Sequence, residues 1–234
     1  MSFMTQQQDP LDDRPAGVEP PQRRERRHGR AALALLLPLL LGAWMVWDGS
    51  QTSRPPAPSA AQSFAGPATL APVPAPVPSV KPLPASPPVR IKIPIIGVDA
   101  PVTPLGIDAN GQLATPDDKN RNLAGWYQGG VTPGQLGTAL LDGHVDTWGG
   151  PAVFYNLGSL RKGHQVQLLR KDGRTAVFAV DAVEVYAKDQ FPSDKVYHAA
   201  PDAEIRLITC GGAYTRAGGY NGNLVVYAHL IATR

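Results

Sequence analysis

The feature that most limits what this chain can build is a block of proline and alanine at residues 55–88, "PPAPSAAQSFAGPATLAPVPAPVPSVKPLPASPP". Proline fixes φ and withholds a backbone donor. A run this poor in large apolar side chains and in charge buries no core, and it favours an extended, polyproline-like spacer. The 25 prolines of the chain are high for a globular protein, and this block holds many of them. Folded structure is left to the residues on either side.

On the N-terminal side lies "AALALLLPLLLGAWMVW", residues 31–47, without a charged residue. Its length is at the short end for a membrane-spanning helix, and Pro38 costs one backbone hydrogen bond, which a span tolerates. The cluster "RRERRHGR" at 23–30 precedes it, and Trp44 and Trp47 mark the far interface. Basic residues before a span and few after it keep the N-terminus cytoplasmic. A leader of about 30 residues and the lack of a nearby A-x-A site argue against a cleaved signal peptide. The expectation is a cytoplasmic basic segment at 1–30, a transmembrane signal anchor at 31–47, a disordered Pro/Ala-rich extracytoplasmic linker at 48–88, and a folded domain at 89–234. At ~3.1 Å per residue such a linker would reach on the order of 100 Å. The net charge of +3 owes much to the one arginine cluster, which topology explains, so no nucleic-acid partner is inferred.

From Val89 onward the pattern changes. "VRIKIPI" (89–95) alternates apolar and polar residues. "GTALLDGH" (137–144), "HQVQLLR" (164–170), "TAVFAVDAVEVYA" (175–187), "EIRLITC" (204–210) and "NLVVYAHLIA" (223–232) read as further strands, with weaker candidates near 99–104 and 111–114. "KDGR" between the segments at 164–170 and 175–187 is a hairpin signal. About eight short strands with regular turns predict an all-β barrel or sandwich. Helical spacing is confined to "GPAVFYNLGSL" (150–160), one or two turns, and to "RNLAGWY" (121–127).

The single cysteine, Cys210 in "RLITCGGAY", has no disulfide partner in a domain expected outside the cytoplasm. A thiol at a strand end, followed by Gly211 and Gly212, suits a nucleophile that a substrate can approach, and the Gly211 amide can help hold an oxyanion. An inert buried cysteine is the plainer alternative. A nucleophilic thiol needs an acid–base partner. His28 falls on the cytoplasmic side, and His164, His198 and His229 sit in turn, loop and late-strand contexts that suit surface or packing residues. His144, in "LLDGHVDTWGG", ends a strand between carboxylates at Asp142 and Asp146. It is the candidate general acid–base. A cation to steady the tetrahedral intermediate is sought in Arg216, with Arg206 as the alternative.

Gly143-His144-Val145-Asp146, Gly150-Pro151-Ala152-Val153-Phe154 and Leu207-Ile208-Thr209-Cys210-Gly211-Gly212 together resemble class F sortases of actinobacteria, over about residues 89–234. The resemblance implies a closed eight-stranded barrel and a Cys–His–Arg site formed by Cys210, His144 and Arg216. Substrate contacts are expected from Gly211, Thr209 and Asn223. It also implies cysteine transpeptidation: Cys210 attacks a sorting signal of the LPxTG type on a surface protein, forms a thioester, and passes the acyl part to an amine of a peptidoglycan precursor or a pilin. No cofactor or metal is implied. Asn223 stands where better-known sortases carry their arginine, which shifts the expectation to Arg216. An L,D-transpeptidase surrounds its cysteine with a "SxGCxR"-like pattern that Thr209 and Gly211 break. A non-catalytic module binding peptide or glycan is the remaining alternative.

Overall fold

The alternation at the start of the folded region becomes a strand for the expected reason: Ile91 and Ile93 point inward with no exposed surface, while Lys92 between them faces solvent. The computed structural model describes residues 54–65 and 80–234. Its strands are β1 (Pro88–Ile93), β2 (Val98–Leu105), β3 (Ala124–Tyr127), β4 (Gly137–Gly143), β5 (Asp146–Thr147), β6 (Gly150–Pro151), β7 (Gln165–Arg170), β8 (Thr175–Ala187), β9 (Ala203–Thr215) and β10 (Gly219–Thr233). One short helix, α1 (Ser193–Tyr197), lies between β8 and β9. Eight strands close into a barrel in the order β1-β2-β3-β4-β9-β10-β8-β7, and β5 and β6 pair separately. The β2–β3 and β4–β9 pairs are parallel, and the other barrel pairs are antiparallel.

Two apolar clusters hold the barrel. The interior packs Ile91, Leu141, Leu168, Phe178, Ile205 and Leu207, with Phe154, Leu157 and Leu160 filling one end from the segment after β6. Each such side chain stabilises the fold by about 1.5–3 kcal/mol through burial. The second cluster lies on the outer face, where Val196 of α1 covers Ile208, Val225 and Tyr227. The connection carrying α1 is tied down at Thr138, whose hydroxyl donates to the His198 carbonyl at 2.7 Å.

Several local expectations are corrected. Residues 124–127 form β3, not a helix, because they are needed between β2 and β4; a Cβ at Gly125 would run into Leu105. Residues 111–114 form no strand, only a bridge from Leu113 to Ile107. The 150–160 segment makes turns and a 3-10 turn at Leu157–Ser159 in place of an α-helix. β9 does not stop at Cys210 but continues to Thr215, paired with β10.

The disordered linker expected at 48–88 is also corrected where residues are described. The Phe64 amide donates to Glu184 at 2.9 Å, and its ring meets Tyr227 edge-on at 5.0 Å. Lys195 of α1 sits 4.9 Å from the Phe64 ring centre, a cation–π contact. Gln62 accepts from the Lys162 amide at 2.9 Å, and a Cβ on Gly158 would collide with the Pro56 carbonyl. Nearer the barrel, the fully buried Arg170 guanidinium donates to the carbonyls of Pro84 and Pro133 and pairs with Asp172 at 3.0 Å. Proline-rich chain docks here because its carbonyls, lacking neighbouring donors, are good acceptors for an arginine fork. The anchor expected at 31–47 lies outside the described residues, among which no helix is long and apolar enough to cross a membrane.

Removing the Arg170 fork leaves the buried Pro133 carbonyl and the part-buried Pro84 carbonyl without their donor. Arg170→Met is expected to cost about 2–4 kcal/mol of stability in urea unfolding, and to expose the 80–88 segment to proteolysis first.

Candidate active site

His144 and Cys210 are brought together by parallel strand pairing. The β4–β9 ladder runs from Gly137 opposite Ala203 to Asp142 opposite Ile208. It is carried one step further by the Thr209 hydroxyl, which donates to the Gly143 carbonyl at 2.7 Å. His144 and Cys210 are the next residues of the two chains, each one place beyond this hydrogen bond, with His144 just past the end of β4. Because side chains alternate, Asp142 and His144 share the outer face with Ile208 and Cys210, while Leu141 and Leu207 point into the core. Cys210 is exposed.

The residues around His144 explain the sequence pattern there. A Cβ at Gly143 would lie 2.6 Å from the Phe154 ring and 2.8 Å from Val153. The chain after β6 folds back on this point: the Phe154 amide donates to the His144 carbonyl at 3.0 Å and the Ala152 amide to Val145 at 3.0 Å. The Gly-His-Val-Asp and Pro-Ala-Val-Phe motifs thus form one interlocked unit. His144 Nε2 is 2.8 Å from the Pro116 carbonyl. A carbonyl only accepts, so Nε2 carries the proton and Nδ1 is left for proton transfer.

Beside His144 opens a cleft of about 350 Å³ lined by Asp118, His144, Asp146, Thr147, Trp148 and Tyr214. Trp148 is fully exposed on its rim. The Tyr220 hydroxyl donates to Asp146, and burial together with this bond raises its pKa. Crowding by protein around the sulfur raises the Cys210 pKa even though the residue is open to solvent; Lys188 opposes this, and Asp142 and Asp146 add to it. Burial pushes the half-buried Asp142 carboxyl up to about 7, against the opposing pull of His144 and of the Gly143 amide.

The other expected site residues are placed as follows. Thr209 faces the interior, 3% exposed, and ties β9 to β4. Gly211 is buried against β10, where a Cβ would come within 3.1 Å of Leu224, a tight fit. Gly212 has φ +83°. Asn223 is directly opposite Cys210 on β10, on the same face. Arg206 is 6% exposed, paired with Glu204 at 2.6 Å and stacked 4.5 Å from the Tyr227 ring centre. Arg216 occupies the exposed turn between β9 and β10, six residues or roughly 20 Å of strand beyond Cys210. Neither arginine is beside the sulfur along its strand. Lys188, Trp148, Tyr214 and Tyr220 were not singled out from sequence, since none stands in a recognisable motif.

Two outcomes follow from this geometry. Asp142 binds its proton more tightly folded than unfolded, so its ionisation lowers stability as pH rises from about 4 to about 7. Asp142→Asn is expected to raise stability by about 1–2 kcal/mol at pH 8 and by almost nothing at pH 4, read by urea unfolding. Gly143→Ala is expected to lower stability by about 1–3 kcal/mol through overpacking against Phe154 and to slow alkylation of Cys210 only if the His144 loop is displaced with it.

A sortase domain model matches residues 91–231. No curated protein matches by sequence. Among solved structures, sortase A of Listeria monocytogenes aligns at 21% identity and TM-score 0.46, covering 63% of this chain and 89% of its own. Sortase C1 of Streptococcus agalactiae aligns at 21% and 0.48, covering 62% and 70%. Sortase C-1 of Actinomyces oris aligns at 23% and 0.47, covering 61% and 71%. With the domain model spanning most of the barrel, the chain belongs to the sortase family of cysteine transpeptidases.

Proposed function

We propose that this protein is a class F-type sortase, held at the membrane by residues 31–47, that cleaves an LPxTG-like signal on surface proteins and joins the acyl part to an amine of the cell wall or a pilin. The observation that supports the reading is the register of β4 on β9, whose ladder runs to Asp142 opposite Ile208, two residues before His144 at an open cleft and two before an exposed Cys210. The Cys210 thiolate attacks the threonine carbonyl of the signal, forming a C–S bond and a tetrahedral adduct. As the adduct collapses, the C–N bond breaks and the His144 imidazolium gives its proton to the leaving amine. The incoming amine then attacks the thioester, His144 takes its proton, and the thiolate is released. Proton and electron pair balance within this thiol and imidazole, and the chemistry requires no metal or organic cofactor.

Asp142 and Asp146 oppose thiolate formation, so only the fraction with ionised sulfur and protonated imidazole reacts. Arg216, free at the hairpin tip, is assigned to the bound peptide, and Asn223, facing the same way as Cys210, to an amide of the substrate. Outside the membrane a single-pass anchor keeps enzyme and tethered substrate on one surface, raising their effective concentration.

Full-length protein in detergent is expected to cleave a fluorogenic sorting-signal peptide and, with an amine added, to yield a transfer product by mass spectrometry. Cys210→Ala is expected to remove both activities; retention of either would show that the nucleophile lies elsewhere. Arg216→Ala is expected to raise KM by about tenfold with kcat changed less than about twofold, the pattern of lost ground-state binding.

A further inference from the structure

Sortase chemistry places a negative charge first on sulfur and then on the oxygen of the adduct, and a cation close to both lowers the barrier. The position facing Cys210 across the sheet holds Asn223, which carries no charge. Arg206 is committed to Glu204 and to the Tyr227 ring, and Arg216 is at the hairpin tip. A further cation is sought on the strands that follow β9 around the barrel.

Strand register identifies it. On the outer face, Cys210 of β9 is opposite Asn223 of β10, and Asn223 is opposite Tyr186 of β8. Residues paired in this way point to the same side of the sheet. β8 ends at Ala187, opposite Gly222, and Ala187 is still extended (φ −64°, ψ 143°). The chain then turns into a 3-10 turn at Lys188–Gln190, so Lys188 lies just past the end of β8, two residues beyond the Cys210–Asn223–Tyr186 row. Two strand spacings across and two residues along, roughly 12 Å of backbone, separate it from Cys210, a gap that a four-carbon stem partly spans. Lys188 is exposed, and among the described residues no carboxylate pairs with it.

We propose that Lys188 supplies the positive charge of this active site, its ammonium stabilising the Cys210 thiolate and then the oxyanion of the tetrahedral adduct in place of the arginine that position 223 lacks. The lysine keeps its proton throughout, and the proton transfers remain with His144. The charged and titratable groups facing the sulfur are Lys188 at the end of β8, Asp142 and His144 on β4 and its continuation, and Asp146 on β5; Tyr197 of α1 faces Asp142, and β10 contributes the neutral Asn223. Burial, Asp142 and Asp146 push the thiol pKa up, and Lys188 draws it down. The inference rests on Cys210 being the nucleophile.

The test uses full-length protein in detergent and two readouts: the pH dependence of Cys210 alkylation by iodoacetamide, and kcat/KM on a sorting-signal peptide. Lys188→Met is expected to move the alkylation midpoint up by about half a unit to one unit and to lower kcat/KM by about 10–100-fold, mainly in kcat. Lys188→Arg is expected to behave like the parent in both. Adding Asn223→Arg to Lys188→Met is expected to recover activity to within about fivefold of the parent, by restoring a cation opposite the sulfur. If Lys188→Met leaves the midpoint and kcat/KM within twofold, or if Lys188→Arg is as impaired as Lys188→Met, the assignment is overturned. The alkylation readout needs no peptide substrate. A wrong choice of sorting signal, or a failure of the transpeptidase reading, therefore leaves this test intact.

Discussion

The structure turns on one parallel pairing. β4 and β9 come from chain segments more than sixty residues apart, and their six-residue ladder, extended by the Thr209–Gly143 hydrogen bond, leads the chain directly into His144 on one side and Cys210 on the other. Parallel strands cannot be joined by a tight turn, so the segment between them must cross over. That crossover contains β7, β8 and α1, and it returns to cover the outer face next to the site. A slip of one residue in this register would turn Cys210 into the barrel and His144 away from it.

The electrostatics of the rim follow from the same arrangement. Asp142 shares the outer face with His144 and Cys210 and is buried enough to titrate near neutrality. Asp146 is held by Tyr220 at the edge of the cleft. Burial, helped by these two carboxyl groups, holds back ionisation of the Cys210 thiol. Lys188 on the far side of β10 gives the opposing charge. The site is thus a balance between one edge of the barrel that is acidic and another that is basic, with the sulfur between them.

The proline-rich chain before the barrel is partly architecture. Arg170, Thr132 and Ser86 bind residues 80–88 to the β7–β8 hairpin and the loop before β4, and Phe64 joins an aromatic cage around Lys195 of α1. Chain used in these contacts adds nothing to a spacer's reach. It instead ties residues 54–65 to the connection that covers the outer face.

The amino-acid pattern alone determined the strands with strong alternation or an Asp-Gly turn, and also the lone thiol and the histidine flanked by glycine and carboxylates. Each of these is a local property, carried by residues within a few positions of one another. Tertiary structure decided the rest. β3 is a strand because two neighbouring strands need it. β9 outruns Cys210 because β10 is there to pair with it. Gly211 sits in a tight fit because Leu224 approaches. The reach of a lysine at the end of β8 toward a sulfur on β9 has no trace in the sequence, because it depends on register across three strands, and hydrogen-bonded register is a property of pairs of segments that no single segment encodes.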